Sequence, residues 1–253
     1  MFSRPLALPL VFSLFSLATA VPLLRAGQQE VQPPPAPALE EPEVPLFSGL
    51  LSLNWDSLFI CEGRNFIEDG GVTSTFLLLN GPKGFGAWVW YGDSYETIYS
   101  EVDVSLMYTF PIPDFDAGVG YTYLHFFDTG GHDYEANAWA YYRKYPLLIP
   151  GLLWKWGDSS NGSFVQFTLA SELKFFNDKL LVNPRASLGA DFGYSSRDVD
   201  DLNNLEVKLV VSYNFTPTWS VGGYLAHSFP LEDLDATNEG DQNWGGLTTT
   251  VTF

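Results

Sequence analysis

From Leu205 to Phe215 the side chains alternate without a break. Leu205, Val207, Leu209, Val211, Tyr213 and Phe215 fall on one side of an extended chain, and Glu206, Lys208, Val210, Ser212 and Asn214 on the other. A helix would scatter both sets, so this period of two commits the segment to a strand with one apolar and one mainly polar face. The pattern recurs at 101–110, where Val102, Val104, Leu106, Tyr108 and Phe110 oppose Glu101, Asp103, Ser105 and Thr109. It recurs again at 165–175, with Gln166, Thr168, Glu172 and Lys174 on the polar side.

Taken together, such runs predict about twelve strands of the 9 to 11 residues that a tilted membrane strand needs. Their predicted bounds are 50–62, 72–80, 84–92, 99–110, 115–126, 134–143, 150–157, 162–175, 179–194, 204–215, 218–228 and 243–253. The number is even, as an up-and-down antiparallel transmembrane β-barrel requires, and the expected fold class is all-β. Turns at 81–84, 111–113, 176–178 and 216–217 are short, whereas 127–133, 195–203 and 229–242 are longer and acidic. The link at 144–149 is of intermediate length. Short turns on one side and longer loops on the other fit a barrel with periplasmic turns and external loops, not a soluble sandwich. Aromatic residues support this, since Tyr108, Phe110, Phe115, Tyr142, Phe175, Tyr213, Phe215, Trp219 and Phe253 cluster at the expected inner ends of strands, where an interfacial girdle belongs.

The last run has Leu247, Thr249, Val251 and Phe253 on one side and Gly246, Thr248, Thr250 and Thr252 on the other. It resembles the C-terminal signature of bacterial outer-membrane β-barrels, which implies closure of the sheet and reading by the barrel-insertion machinery. A closed sheet would seal this strand antiparallel against the first.

Residues 1–20 carry Arg4, an apolar stretch and Ala18-Thr19-Ala20, and are read as a secretory signal peptide. Val21 stands where a lipoprotein would have its acylated cysteine. Residues 21–47 are Pro-rich and without periodicity, as in a disordered periplasmic tether. The barrel is assigned to 48–253. With 12 Lys+Arg against 30 Asp+Glu, the formal net charge of −18 argues against a nucleic-acid partner, which needs clustered basic residues. The single Cys61 excludes an intramolecular disulfide framework and a cysteine-based zinc cluster.

The segments Trp55-Asp-Ser-Leu-Phe-Ile-Cys-Glu-Gly-Arg-Asn65, Asp116-Ala-Gly-Val-Gly-Tyr-Thr-Tyr123 and Tyr145-Pro-Leu-Leu-Ile-Pro-Gly151 resemble the TorF-type porin family over most of 50–253. Cys61 departs from that pattern. The resemblance implies a channel in the bacterial outer membrane and names no solute.

Alternation places the acids Asp56, Glu101, Asp103, Asp116, Glu135, Glu172, Asp191 and Glu206 on inward faces, together with the bases Arg143, Lys155, Lys174, Arg185 and Lys208. In a membrane barrel such charges belong in a wet or internally paired lumen. Strand direction puts Glu101, Asp103, Glu135, Asp191 and Glu206 towards the outer mouth, with Arg143, Lys174 and Arg185 lower. The expected function is passive diffusion of small hydrophilic solutes through an acidic vestibule above a mixed-charge constriction, with a weak preference for cations. The alternative is a plugged structural or adhesive barrel in which these charges pair.

An outer-membrane hydrolase is a weaker reading. His227 and Ser228 are adjacent on one strand and point to opposite faces, and neither His125 and His132 nor Asp56 and Glu62 offer a catalytic spacing. The acidic run 232–241 lacks the ligand spacing of a calcium loop and is expected to be a solvated external loop. Expected partners are outer-membrane lipid, lipopolysaccharide, the insertion machinery and small solutes. No cofactor is implied.

Overall fold

The computed structural model describes residues 47–67, 70–94, 96–195, 200–236 and 240–253. The expected signal peptide (1–20) and nearly all of the expected tether (21–47) lie outside the described residues. The strands are β1 (Ser48–Asp56), β2 (Val72–Asn80), β3 (Phe85–Ser94), β4 (Tyr99–Thr109), β5 (Phe115–Phe126) and β6 (Gly131–Tyr142). They continue as β7 (Ile149–Gly157), β8 (Gly162–Ala170), β9 (Leu180–Phe192), β10 (Asp200–Thr216), β11 (Trp219–Pro230) and β12 (Gln242–Thr252). Each pairs antiparallel with its neighbours in sequence, and β12 pairs with β1, so the twelve strands close into an up-and-down barrel. In the closing seam Leu51 faces Val251, and Gly49 and Phe253 exchange backbone hydrogen bonds of 2.8 and 3.0 Å. Among the described residues no helix is long and apolar enough to cross a membrane.

The alternation read from the sequence is the wall of the barrel. Leu106, 71% exposed, and Leu225, 72% exposed, lie on an exterior otherwise built of Leu, Val, Phe, Tyr and Trp. A continuous apolar surface of this kind marks a membrane interface rather than a soluble face. At the end that holds Ser48 and Phe253, here called the inner end, rings meet in two groups: Phe85, Tyr108 and Phe110, and Tyr213, Phe215 and Trp219. A second belt at the outer end contains Tyr121, Tyr123, Tyr134, His125 and His132. Two such belts bracket the apolar band of an outer-membrane barrel.

Several boundaries differ from expectation. The first strand ends at Asp56 rather than at 62, because the chain turns inward at Ser57. The predicted strand 162–175 breaks after Ala170, and Leu173–Phe175 resumes pairing with β9 beyond the break. β6 begins at Gly131 rather than at 134 and β10 at Asp200 rather than at 204, so the connections expected at 127–133 and 195–203 are shorter.

Candidate functional site: the barrel lumen and its outer plug

Residues 57–67 do not arch over the outer mouth; they fold into the barrel. Ile60–Cys61 and Arg64–Asn65 pair as a small hairpin around Glu62 and Gly63, whose φ values are 46° and 78°. Two consecutive positive φ angles are what a two-residue hairpin turn demands. Gly63 is also required by close approach, since a Cβ there would stand 2.8 Å from the Leu234 side chain and 2.9 Å from that of Asn204.

One side of the plug is apolar. Phe59 stacks on Trp90 with centroids 5.8 Å apart and tilts against Tyr99 at 5.2 Å. Cys61, Ile67, Val72 and Leu124 complete the cluster, which seats the plug on the wall formed by β2 to β5.

The tip is ionic and reaches the opposite wall. Lys155 of β7 donates to Glu62 Oε1 at 2.8 Å, with both side chains buried. Arg64 donates to Asp233 at 2.6 Å and to Asn203 Oδ1 at 3.1 Å, and lies 3.6 Å from Asp191. Asn203 Nδ2 donates to the Glu62 carbonyl at 2.6 Å. Burial pushes the Glu62 carboxyl up from its ordinary value, and the charges of Lys155 and Arg64 pull it part of the way back.

The acids expected at an open outer vestibule lie beneath this plug. Glu101, Asp103 and Asp191 are each 0% exposed. Tyr99 donates to Glu101, and Tyr194 to Glu135 at 2.6 Å. The solvated acidic loop expected at 232–241 is also corrected. Its first part is a short helix, Glu232–Ala236, whose Asp233 is buried against Arg64 because the plug brings a guanidinium to it. Residues 237–239 lie outside the described residues.

Below the plug the lumen is lined by hydroxyls, amides and paired charges. Ser52 meets Thr250 at 3.0 Å, Thr248 donates to Asn54 at 2.7 Å, and Thr168 meets Ser187 at 2.9 Å. Arg185 pairs with Glu206 at 3.3 Å beside a small cavity lined by Glu62, Lys155, Gln166 and Asn204. Lys208 stands 3.8 Å above the ring of Tyr224, whose hydroxyl donates to Asp56. Towards the inner end, Asp116 accepts from Arg143 and from the Trp139 indole, each at 3.1 Å. Lys174 and Glu172 pair at 3.0 Å near the inner rim. The inner half is wetter, with Asp116, Glu172, Arg143 and Lys174 each partly exposed.

His227 faces outward and meets Asn243 at 2.7 Å, whereas Ser228 faces the lumen and accepts from Asn204 at 2.9 Å. The pair thus points to opposite faces of β11, as strand geometry requires.

Sequence reasoning missed the plug, and with it the roles of Arg64, Asn203 and Asp233. A signal was present: Leu58, Phe59, Ile60, Phe66 and Ile67 flank Glu62-Gly63, and a long external loop cannot leave so many apolar side chains in water.

No protein-family model and no curated protein matches the sequence. Solved structures do. The KdgM porin aligns with 81% of this chain and 99% of its own at a TM-score of 0.57 and 11% identity. A KdgM porin in complex with disordered oligogalacturonate aligns with 81% and 98% at 0.52 and 10% identity. A NanC porin aligns with 80% and 98% at 0.51 and 12% identity. At this level of identity the likeness establishes the fold. With the apolar exterior and its two aromatic belts, the chain is a closed β-barrel of the bacterial outer membrane.

Proposed function

We propose that the barrel is a porin-like channel that passes small hydrophilic solutes passively, with a weak preference for cations. The carrying observation is the contrast between its two faces: the exterior is apolar, whereas the lumen holds Asp56, Glu101, Asp103, Asp116, Glu135, Asp191 and Glu206 against Arg143, Lys155, Arg185 and Lys208. A closed sheet that only anchors a protein has no need for an interior this rich in charge at this width. The excess of acids favours cations electrostatically.

The TorF-type assignment rests on the three segments around Trp55, Asp116 and Tyr145. Export by the signal peptide, recognition of β12 by the insertion machinery and contact with lipopolysaccharide belong to the same reading. Catalysis has no part in it, since His227 and Ser228 do not converge.

A second reading, a plugged structural barrel, is favoured by one observation, the hairpin held inside the outer mouth. Liposome swelling separates the two. Vesicles carrying the protein with 58–67 replaced by a short Gly-Ser linker swell in small neutral and cationic solutes if the lumen conducts. Absence of swelling with a correctly folded barrel supports the structural reading, and faster entry of anions removes the cation preference.

A further inference from the structure

The plug is built differently on its two sides. Its root is bound through aromatic and aliphatic contacts to Trp90, Tyr99 and Leu124. Its tip is bound through charge, Glu62 to Lys155 and Arg64 to Asp191 and Asp233, and each of these partners belongs to the opposite wall or to the loop above it. The two kinds of contact respond differently to water. Opening an apolar contact costs free energy in proportion to the area exposed. Opening a buried ion pair returns the desolvation cost of both charges, so the net loss is small.

The closed tip also contains an unsatisfied group. Glu62 Oε2 is buried without a hydrogen-bond partner among the described residues. Such groups raise the free energy of the closed state by an amount that hydration would recover. Glu62 itself has a left-handed backbone, with φ at 46°, which costs a residue with a Cβ free energy that glycine would not incur. The left-handed residue, the orphaned Glu62 oxygen and the ion pairs lie at the tip, whereas the root is held by apolar and aromatic contacts.

We infer that the hairpin 60–65 is a gate, hinged on the apolar root and latched across the lumen by Glu62–Lys155 and Arg64–Asp191/Asp233. The inference rests on the channel reading. Swinging the tip away from β7 and β9 hydrates Glu62, Lys155 and Asp191 and joins the outer mouth to the wet inner half of the lumen. Cys61 leaves the apolar cluster with the tip, whereas Phe59 and Ile67 stay packed on Trp90, Tyr99 and Leu124, so opening is local and leaves the barrel ladders intact.

The chain supplies its own reporter. Cys61 is its only cysteine, lies within the hairpin and is 2% exposed. A membrane-impermeant maleimide applied to outer membranes containing the full-length protein therefore reads the open state without requiring conduction. The wild type is expected to label slowly. Arg64→Met leaves Asp191 and Asp233 buried without their cation, and Lys155→Met does the same to Glu62. Each is expected to raise the labelling rate by about tenfold or more, because removing one partner of a buried pair is strongly unfavourable whereas replacing both is not. For that reason Glu62→Gln/Lys155→Met is expected to return the rate towards wild type. Arg64 is on the hairpin, so its variant tests the latch even if a change in the wall at Lys155 impairs assembly.

Equal labelling of wild type and both single variants, all as heat-modifiable barrels, overturns the latch. So does a double variant as reactive as Lys155→Met. Planar-bilayer currents from the same preparations address the channel separately: faster labelling with no rise in current retains the latch and removes the channel.

Discussion

Glu62 and Lys155, separated by 93 residues in sequence, meet at 2.8 Å inside the barrel. The contact joins an external loop to the outer part of the opposite wall, so the outer mouth is closed by the chain itself. The approach depends on Gly63, where a Cβ would collide with Leu234 and Asn204 and the backbone is left-handed. Gly63→Ala is therefore expected to destabilise the closed tip by about 1 kcal/mol or more, seen as faster amide hydrogen exchange at 60–65 with the strands unchanged. Unaltered exchange would mean that the tip is not held where the structure has it.

The charge state of Glu62 gives a pH dependence with a definite sign. Burial raises its carboxyl in the closed hairpin, the neighbouring Asp191 adds to the rise, and Lys155 and Arg64 oppose it. Closure therefore takes up a proton. Its contribution is fully present below the ordinary carboxylate range and is lost as pH rises through the closed-state value. Lowering the pH from neutral to about 5, towards that range, should reduce the open probability of single channels. An increase on acidification would mean that the ion pair outweighs burial.

On the lipid face the cost of a charge depends on depth. Leu225 lies mid-strand and is 72% exposed, whereas Val251 pairs with Trp219 near the inner aromatic belt. Leu225→Arg is expected to cost about 2–4 kcal/mol and Val251→Arg about 0–1 kcal/mol. Urea unfolding in lipid vesicles, followed by tryptophan fluorescence, measures both. Equal costs would place the bilayer elsewhere on the barrel.

The seam makes a further demand. Gly49 and Phe253 exchange both backbone bonds, so deleting Phe253 removes the last closing pair together with a ring of the inner belt. The expected result is less heat-modifiable barrel in outer membranes at equal expression. An undiminished yield would show that closure is complete without it.

The wall was legible in the sequence because period-two alternation is a local property. Residues such as Leu205 to Phe215 announce their faces without reference to anything distant, and the pairing of β12 with β1 follows from closure alone. Strand lengths were less legible, since the end of β1 at Asp56 is set by where the chain turns inward. The plug was not read because its determinants are non-local: nothing near Arg64 in sequence reveals that Asp191, Asn203 and Asp233 will surround it. Alternation puts the acids on the inward faces, yet whether an inward carboxylate meets water or a hairpin depends on a loop that folds back from another part of the chain.

Whether the lumen conducts is tested most directly by placing a reactive thiol on each face of one strand. Asn137 of β6 turns inward to Thr122 and Glu135, whereas its neighbour Ala138 has the opposite, lipid-facing register. With the hairpin 58–67 replaced by a linker, which also removes the single native cysteine Cys61, a charged methanethiosulfonate is added during single-channel recording. A stepwise drop in current with Asn137→Cys and none with Ala138→Cys is the predicted result. No current, or a current unchanged by reaction at residue 137, would contradict conduction through the barrel.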